Sequence, residues 1–110
     1  MKKRKSPATT RPPISDEPLF LLGTVVITLH ALDLLDKYAL KPAPYLRRHE
    51  RGDFGNLSDV GFEASHLAVQ NGGRIMSTYK IGLSKYDSFW IMTDESRSVT
   101  TIILPGEGPP

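Results

Sequence analysis

The chain has no cysteine. That excludes disulfide staples, thiolate zinc sites and cysteine nucleophiles, and it fits a reducing compartment, so a cytoplasmic location is expected. No apolar run approaches the ~18 residues that a membrane-spanning helix needs, so no membrane partner is expected. The opening Met1-Lys-Lys-Arg-Lys is basic but has no apolar stretch behind it and does not read as a secretory signal. There are only three histidines, and no HExxH pair or glycine-rich phosphate loop. Asn71-Gly72-Gly73 lacks the strand before and helix after that a nucleotide cradle requires. No metal and no cofactor are therefore expected. At 110 residues the chain reads as one small domain, too short for a processive machine, a methyltransferase core or a dinucleotide-binding domain with its own substrate domain.

What is present is enough for a modest core: 39% hydrophobic and 8% aromatic residues. Fourteen basic and 12 acidic groups give a formal charge of +2 and a pI near 9.0. The charge is unevenly placed. Residues 1–18 hold Lys2, Lys3, Arg4, Lys5 and Arg11 against Asp16 and Glu17, a net of +3. Residues 19–110 hold nine basic and ten acidic groups, a net of −1. Pro7, Pro12, Pro13 and Pro18 lie in the first stretch, which predicts an extended, mobile basic arm over 1–18. Such an arm can hold phosphate backbones through counterion release, or serve only as a solubilising tail.

The folded domain is expected over 19–105, with a loose tail over 106–110. Leu19 to Thr28 is apolar and β-branched and reads as a buried strand. Thr28 then N-caps a helix with Leu32, Leu35 and Ala39 on one face, ended by Pro42. Pro44 opens a short second helix over Tyr45–Arg51 that stops at Gly52. Ser58 caps a third helix running to the Asn71-Gly72-Gly73 break, with Val60, Ala64, Leu67 and Ala68 as its stripe. Three strands follow: one from Arg74, one over Phe89-Trp-Ile-Met-Thr and one over Val99-Thr-Thr-Ile-Ile-Leu. The fold class is α+β: a strand, three helices, then a three-stranded antiparallel meander, with the helices packed on one sheet face.

Chemistry in so small a domain has few places to sit. His30, His49 and His66 fall on three different predicted helices. His30 is expected to be exposed and His66 to be a half-buried packing residue. His49 stands in Arg47-Arg48-His49-Glu50-Arg51, just before Gly52-Asp53. An imidazole titrates near pH 6.5 and can serve as acid or base, nearby arginines can hold a phosphate, and Asp53 could orient the ring. Arg74 opens one strand and Arg97 another. Ser77 and Tyr79 share a side by the period of two, as do Arg97, Val99 and Thr101. An exposed sheet face carrying Arg, hydroxyls and Tyr, opposite a helix-borne His, has the parts of a metal-independent phosphodiester-cleaving site. The same residues also suit an ordinary solvated helix face and sheet side.

Arg48-His49, Gly52-Asp53-Phe54-Gly55, Arg74 with Ser77 and Tyr79, and Trp90-Ile-Met-Thr-Asp-Glu-Ser-Arg-Ser-Val-Thr-Thr-Ile-Ile-Leu-Pro resemble a family of small uncharacterised proteins of bacterial plasmids, phages and integrated elements. There the pattern runs Arg-His, Gly-Asp-Trp-Gly, Arg-x-x-Ser-x-Tyr and Trp-Ile-Thr-Glu-x-Asp-Arg-Ser-x-Thr-Thr. This chain departs at Phe54 and at Asp94-Glu95-Ser96. The order of elements is also similar to the barnase–EndoU–colicin–RelE group of small ribonucleases, an analogy at the level of fold. That similarity implies His49, Arg74 and Arg97 as catalytic residues, with Arg48, Asp53, Ser77, Tyr79 and Thr101 holding substrate.

The first function expected is thus a metal-independent, endoribonuclease-like protein of a mobile element, a toxin or anti-defence effector acting on RNA. The alternative is a non-enzymatic interaction protein that inhibits a host defence or nucleic-acid-processing complex, with Tyr45 and Phe54 beside Arg47 as exposed anchors. Nothing in the residue pattern sets an oligomeric state.

Overall fold

The computed structural model describes residues 11–107. Residues 1–10, which carry most of the expected basic arm, and 108–110 lie outside the described residues. In chain order the elements are β1 (Thr24–Ile27), α1 (Leu29–Lys37), α2 (Pro42–Glu50), α3 (Asp59–Asn71), β2 (Ile75–Lys80), β3 (Ser88–Thr93) and β4 (Val99–Ile103), closed by a 3₁₀ turn over Pro105–Glu107. The class is α+β, with helices on one face of a single sheet. The expected meander is there, since β2, β3 and β4 pair antiparallel. β1, however, runs parallel beside β4, so the sheet is mixed and ordered β1-β4-β3-β2.

Helix starts follow local chemistry. The Thr28 hydroxyl accepts from the Ala31 N–H and the Ser58 hydroxyl from the Gly61 N–H, each satisfying an orphan donor of the first turn. The boundary between α1 and α2 differs from expectation. α1 stops at Lys37, Ala39 takes a left-handed φ of 55°, and Pro42 sits in the first turn of α2. A proline without an N–H costs nothing where that N–H would have been unpaired, so it opens the second helix instead of closing the first.

The period of two sorts the strands into two faces. Ile75, Ser77 and Tyr79 pair across to Thr93, Ile91 and Phe89, and these to Thr100 and Ile102. This face is covered by the helices. Ala31 and Leu35 of α1 join Tyr79, Phe89, Ile91 and Ile102 in one cluster, while Phe62 and Ala68 of α3 join Phe54 and Ile75 in a second. The stripe expected on α3 is therefore corrected. Val60 is 82% and Leu67 44% exposed, and Phe62, Ser65 and Ala68 are the buried set. α3 lies over the outer strand β2, with Phe62 filling the second cluster and Ser65 and Ala68 turned toward the strand.

The β2 edge is closed by side chains and a loop. The Ser65 hydroxyl donates to the Met76 carbonyl and accepts from its N–H. The Phe54 carbonyl accepts from Thr78 N–H, Asn56 N–H donates to the Thr78 carbonyl, and Asn56 Oδ1 accepts from Lys80 N–H. Gly55 makes this possible. It holds φ 72°, and a Cβ there would meet the Thr78 carbonyl oxygen at 2.0 Å.

The expected start of the domain at Leu19 is too late. Arg11 pairs with Asp59 at 3.1 Å, donates to the Leu57 carbonyl and lies over the Phe62 ring. Ser15 N–H donates to the Arg51 carbonyl. Residues 11–18 are thus held on the domain. At the other end Glu107 accepts from the Thr28 hydroxyl and bonds His30 Nδ1, tying the chain to the start of α1. No helix among the described residues is long and apolar enough to cross a membrane.

Candidate functional site

The residue singled out for acid–base work lies at the centre of the molecule. α2 presents Tyr45, Leu46 and His49 inward, and His49 is 0% exposed. Its Nδ1 is 2.5 Å from Ser77 Oγ and its Nε2 2.9 Å from Thr93 Oγ1. Thr93 Oγ1 lies 2.7 Å from Thr100 Oγ1, which donates to the Leu22 carbonyl at 2.7 Å.

The polarity of this chain follows from its last acceptor. The Leu22 carbonyl has no proton, so the Thr100 hydroxyl donates to it and accepts from Thr93. Thr93 in turn accepts from His49 Nε2–H, and Nδ1 accepts from Ser77. The ring is neutral, and both nitrogens are satisfied. Phe20 meets it edge-on at 5.2 Å between centroids. Burial lowers the His49 pKa from 6.5 to about 3.

The exposed reading of the Arg47–Arg51 segment is accordingly corrected at His49. Helical period turns Arg47 and Arg48 outward and His49 inward. Arg48 pairs with Asp53 at 2.7 Å and stacks on Tyr79 at 4.6 Å. Asp53 therefore orients Arg48 and not the imidazole. Tyr79 is buried, and its hydroxyl donates to the Asp53 carbonyl at 2.7 Å. Burial is the main cause that pushes the phenol's pKa well up. Ser77 and Tyr79 do share a side, as the period predicts, but it is the helix-covered side and not an exposed one.

Arg74 and Arg97 stand elsewhere. Arg74, next to inward Ile75, belongs to the opposite sheet face. There it borders a shallow hollow of about 260 Å³ with Met92, Asp94, Val99 and Thr101. Arg97 lies in the β3–β4 turn with a left-handed φ of 59°. Its guanidinium donates to the carbonyls of Ala68, Gly73 and Asp94 at 2.6–2.9 Å. It docks the end of α3, where a cation also suits the helix dipole. Arg97→Lys is expected to cost about 2 kcal/mol in urea unfolding, because one ammonium cannot reach three carbonyls as the fork does. A loss near zero would remove that role.

The structure thus brings His49 together with Ser77, and Arg48 with Asp53 and Tyr79. It leaves Arg74 and Thr101 on the far face and Arg97 in a turn. The expected anchors are corrected too, since Phe54 is 1% exposed and Tyr45 half-buried. His66 stacks on Phe62 with 9° between planes, and His30 is exposed, as expected.

Sequence reasoning missed Thr93, Thr100 and the open sheet face. On that face lie Met76, Thr78, Trp90 and Thr101, each partly exposed, and Met92 and Ile103, which are buried; none of the six belongs to the two clusters that the helices cover. Trp90 sits at its middle, opposite Thr78 on one side and Ile103 on the other. A signal was available: Phe89-Trp90-Ile91-Met92 is apolar at both parities, which marks a strand that buries or offers both faces. No group of His, Asp or Glu able to hold a metal ion occurs among the described residues. Comparison with family models, curated proteins and solved structures finds no match for this chain.

Proposed function

We propose that the chain is a non-enzymatic interaction protein that docks on a host protein through its open sheet face, in line with its resemblance to proteins of mobile elements. The observation that carries this reading is the place of His49. An acid–base residue must reach the proton it moves. Here both ring nitrogens are bound to hydroxyls inside the core, and the ring is fully buried. Arg74 and Arg97, the groups meant to hold a phosphate beside it, lie on the other sheet face and against backbone carbonyls.

The open face has the composition of a protein-binding surface. Partly exposed Trp90 and Met76 stand over buried Met92 and Ile103, with Arg74 at the rim beside Asp94. Trp and Arg dominate binding hot spots, and methionine adapts to a partner's shape. Nucleic acid is less favoured as the occupant, because residues 19–110 carry a net charge of −1 and such ligands need a cationic surface.

The test uses tagged protein and lysate of the host. Trp90→Ala and Arg74→Ala are expected to weaken capture of one defined partner by about 10- to 30-fold, with circular dichroism unchanged. Metal-free RNA cleavage by the purified chain, lost in Arg74→Ala, would instead restore the ribonuclease reading.

A further inference from the structure

The sheet has two edges, and they are treated in opposite ways. At β2 every outward main-chain group described above has a partner, supplied by Ser65, Phe54 and Asn56. At β1 the parallel register with β4 takes the N–H of Thr24 to the Ser98 carbonyl and that of Thr28 to the Ile102 carbonyl. By the period of two, Val26 also points to β4, and Val25 and Ile27 point their N–H and C=O away from the sheet. Among the described residues no side chain or loop bonds to these outward groups.

The edge is also unprotected by the usual devices. An edge strand left free is normally blunted by lysine, proline or a bulge. From Leu19 to Leu29 there is no ionisable residue and no proline. Leu21 is 75%, Val26 45% and Leu29 78% exposed.

We propose that β1 pairs antiparallel with β1 of a second copy of this chain, joining the two sheets into one across a two-fold axis. The register is set by which groups point outward. Val25 of one copy faces Ile27 of the other and exchanges both main-chain bonds with it, and the reverse pair does the same. Val26 then lies on the axis opposite its own mate, with side chains on the open face. A two-fold axis sets each edge residue near its symmetry mate or a close neighbour, so a charged edge would repel itself. An uncharged one does not, and this choice of occupant rests on that. The exposed Leu21, Val25, Val26 and Leu29 supply the apolar area that main-chain bonds alone lack.

Sedimentation of the full chain over a concentration series tests the pairing. The wild type is expected to approach twice the 12.2 kDa chain mass. Val26→Lys and Val26→Glu are each expected to stay at one chain mass, because like charges meet on the axis. Mixed in equal amounts, they are expected to recover the double mass. Val25→Pro removes only an outward N–H, so it is expected to fold and stay single should Val26→Lys not fold. A wild type that keeps one chain mass throughout would overturn the proposal, whether the edge is free or holds an unlike peptide. So would a Val26→Lys or Val25→Pro chain that pairs as well as the wild type, or a mixture that stays single.

Discussion

Replacing His49 with alanine is expected to remove about 3–5 kcal/mol of folding stability, a large part of the ~5–15 kcal/mol that a small domain has. Two effects add. The substitution empties the volume of an imidazole that is 0% exposed between α2 and the sheet. It also strands the Ser77 hydroxyl and takes one of two partners from the Thr93 hydroxyl, which keeps its bond to Thr100. Ser77 loses the acceptor Nδ1 and Thr93 loses the donor Nε2–H, and an unpaired buried polar group costs about 1–3 kcal/mol. In thermal unfolding the midpoint is expected to fall by roughly 15–25 °C. A double-mutant cycle with Thr93→Val is expected to show coupling of about 0.5–3 kcal/mol, since the two residues belong to one chain of hydrogen bonds. A His49→Ala chain within about 1 kcal/mol of wild type would mean that the imidazole does not hold the core together, and its surface role would be open again.

Acidification is the second large effect. Folded His49 has its pKa lowered to about 3 from 6.5 because its charged form is desolvated. Between these values the unfolded chain takes a proton that the folded chain refuses. Stability is therefore full above pH 6.5 and falls as pH drops toward 3, by at most about 1.4 kcal/mol per pH unit. Between pH 7 and pH 5 the expected loss is about 2 kcal/mol, rising to the order of 4–5 kcal/mol near pH 3. Two carboxyls add to it at the acid end. Hydrogen bonds hold the Asp94 carboxyl down, chiefly from Ser98 and Val99, and the Glu107 carboxyl down, chiefly from Thr28. Their stabilisation is present above the ordinary carboxylate range and is lost only below it, so these two carboxyls do not contribute between pH 7 and 5. Urea midpoints across that window measure the loss. His49→Gln is expected to flatten the slope, and an unchanged slope in that variant would assign the pH dependence to other groups.

Local signals located most of the elements. Thr28 and Ser58 cap helices where a hydroxyl precedes an apolar run, and the strands of the meander lie where β-branched and aromatic residues cluster. These are short-range effects that each segment carries with it. Errors arose where a neighbour decided. On α3 the sequence pattern finds Ala68 but not Phe62 or Ser65, because these answer to the surface of β2, and Ser65 is inward because Met76 needs its hydroxyl. Pro42 was read as a stop, although the same missing N–H equally suits a start.

The candidate site was legible as a set of residues and not as an arrangement. The period of two puts Ser77 and Tyr79 on one side opposite a helix-borne His49, and the structure has His49 bonded to Ser77 on that side. That this side is buried depends on which sheet face the helices cover. Alternation alone cannot choose a face, because Phe89-Trp90-Ile91-Met92 is apolar on both.

Composition, charge distribution and the period of its strands made this chain a small α+β domain whose folded part is nearly neutral, with no thiol chemistry. Those properties belong to residues one at a time or to neighbours along the chain. Burial of His49, its proton on Nε2, the open face around Trp90 and the bare edge at Val25 and Ile27 are properties of strand order. β1 had to leave the sequence neighbourhood of α1 and lie beside β4, 75 residues on by the pairing of Thr24 with Val99, before any of them existed. Long-range pairing decided them, because a hydrogen bond's direction and a side chain's solvent access are set by what lies opposite.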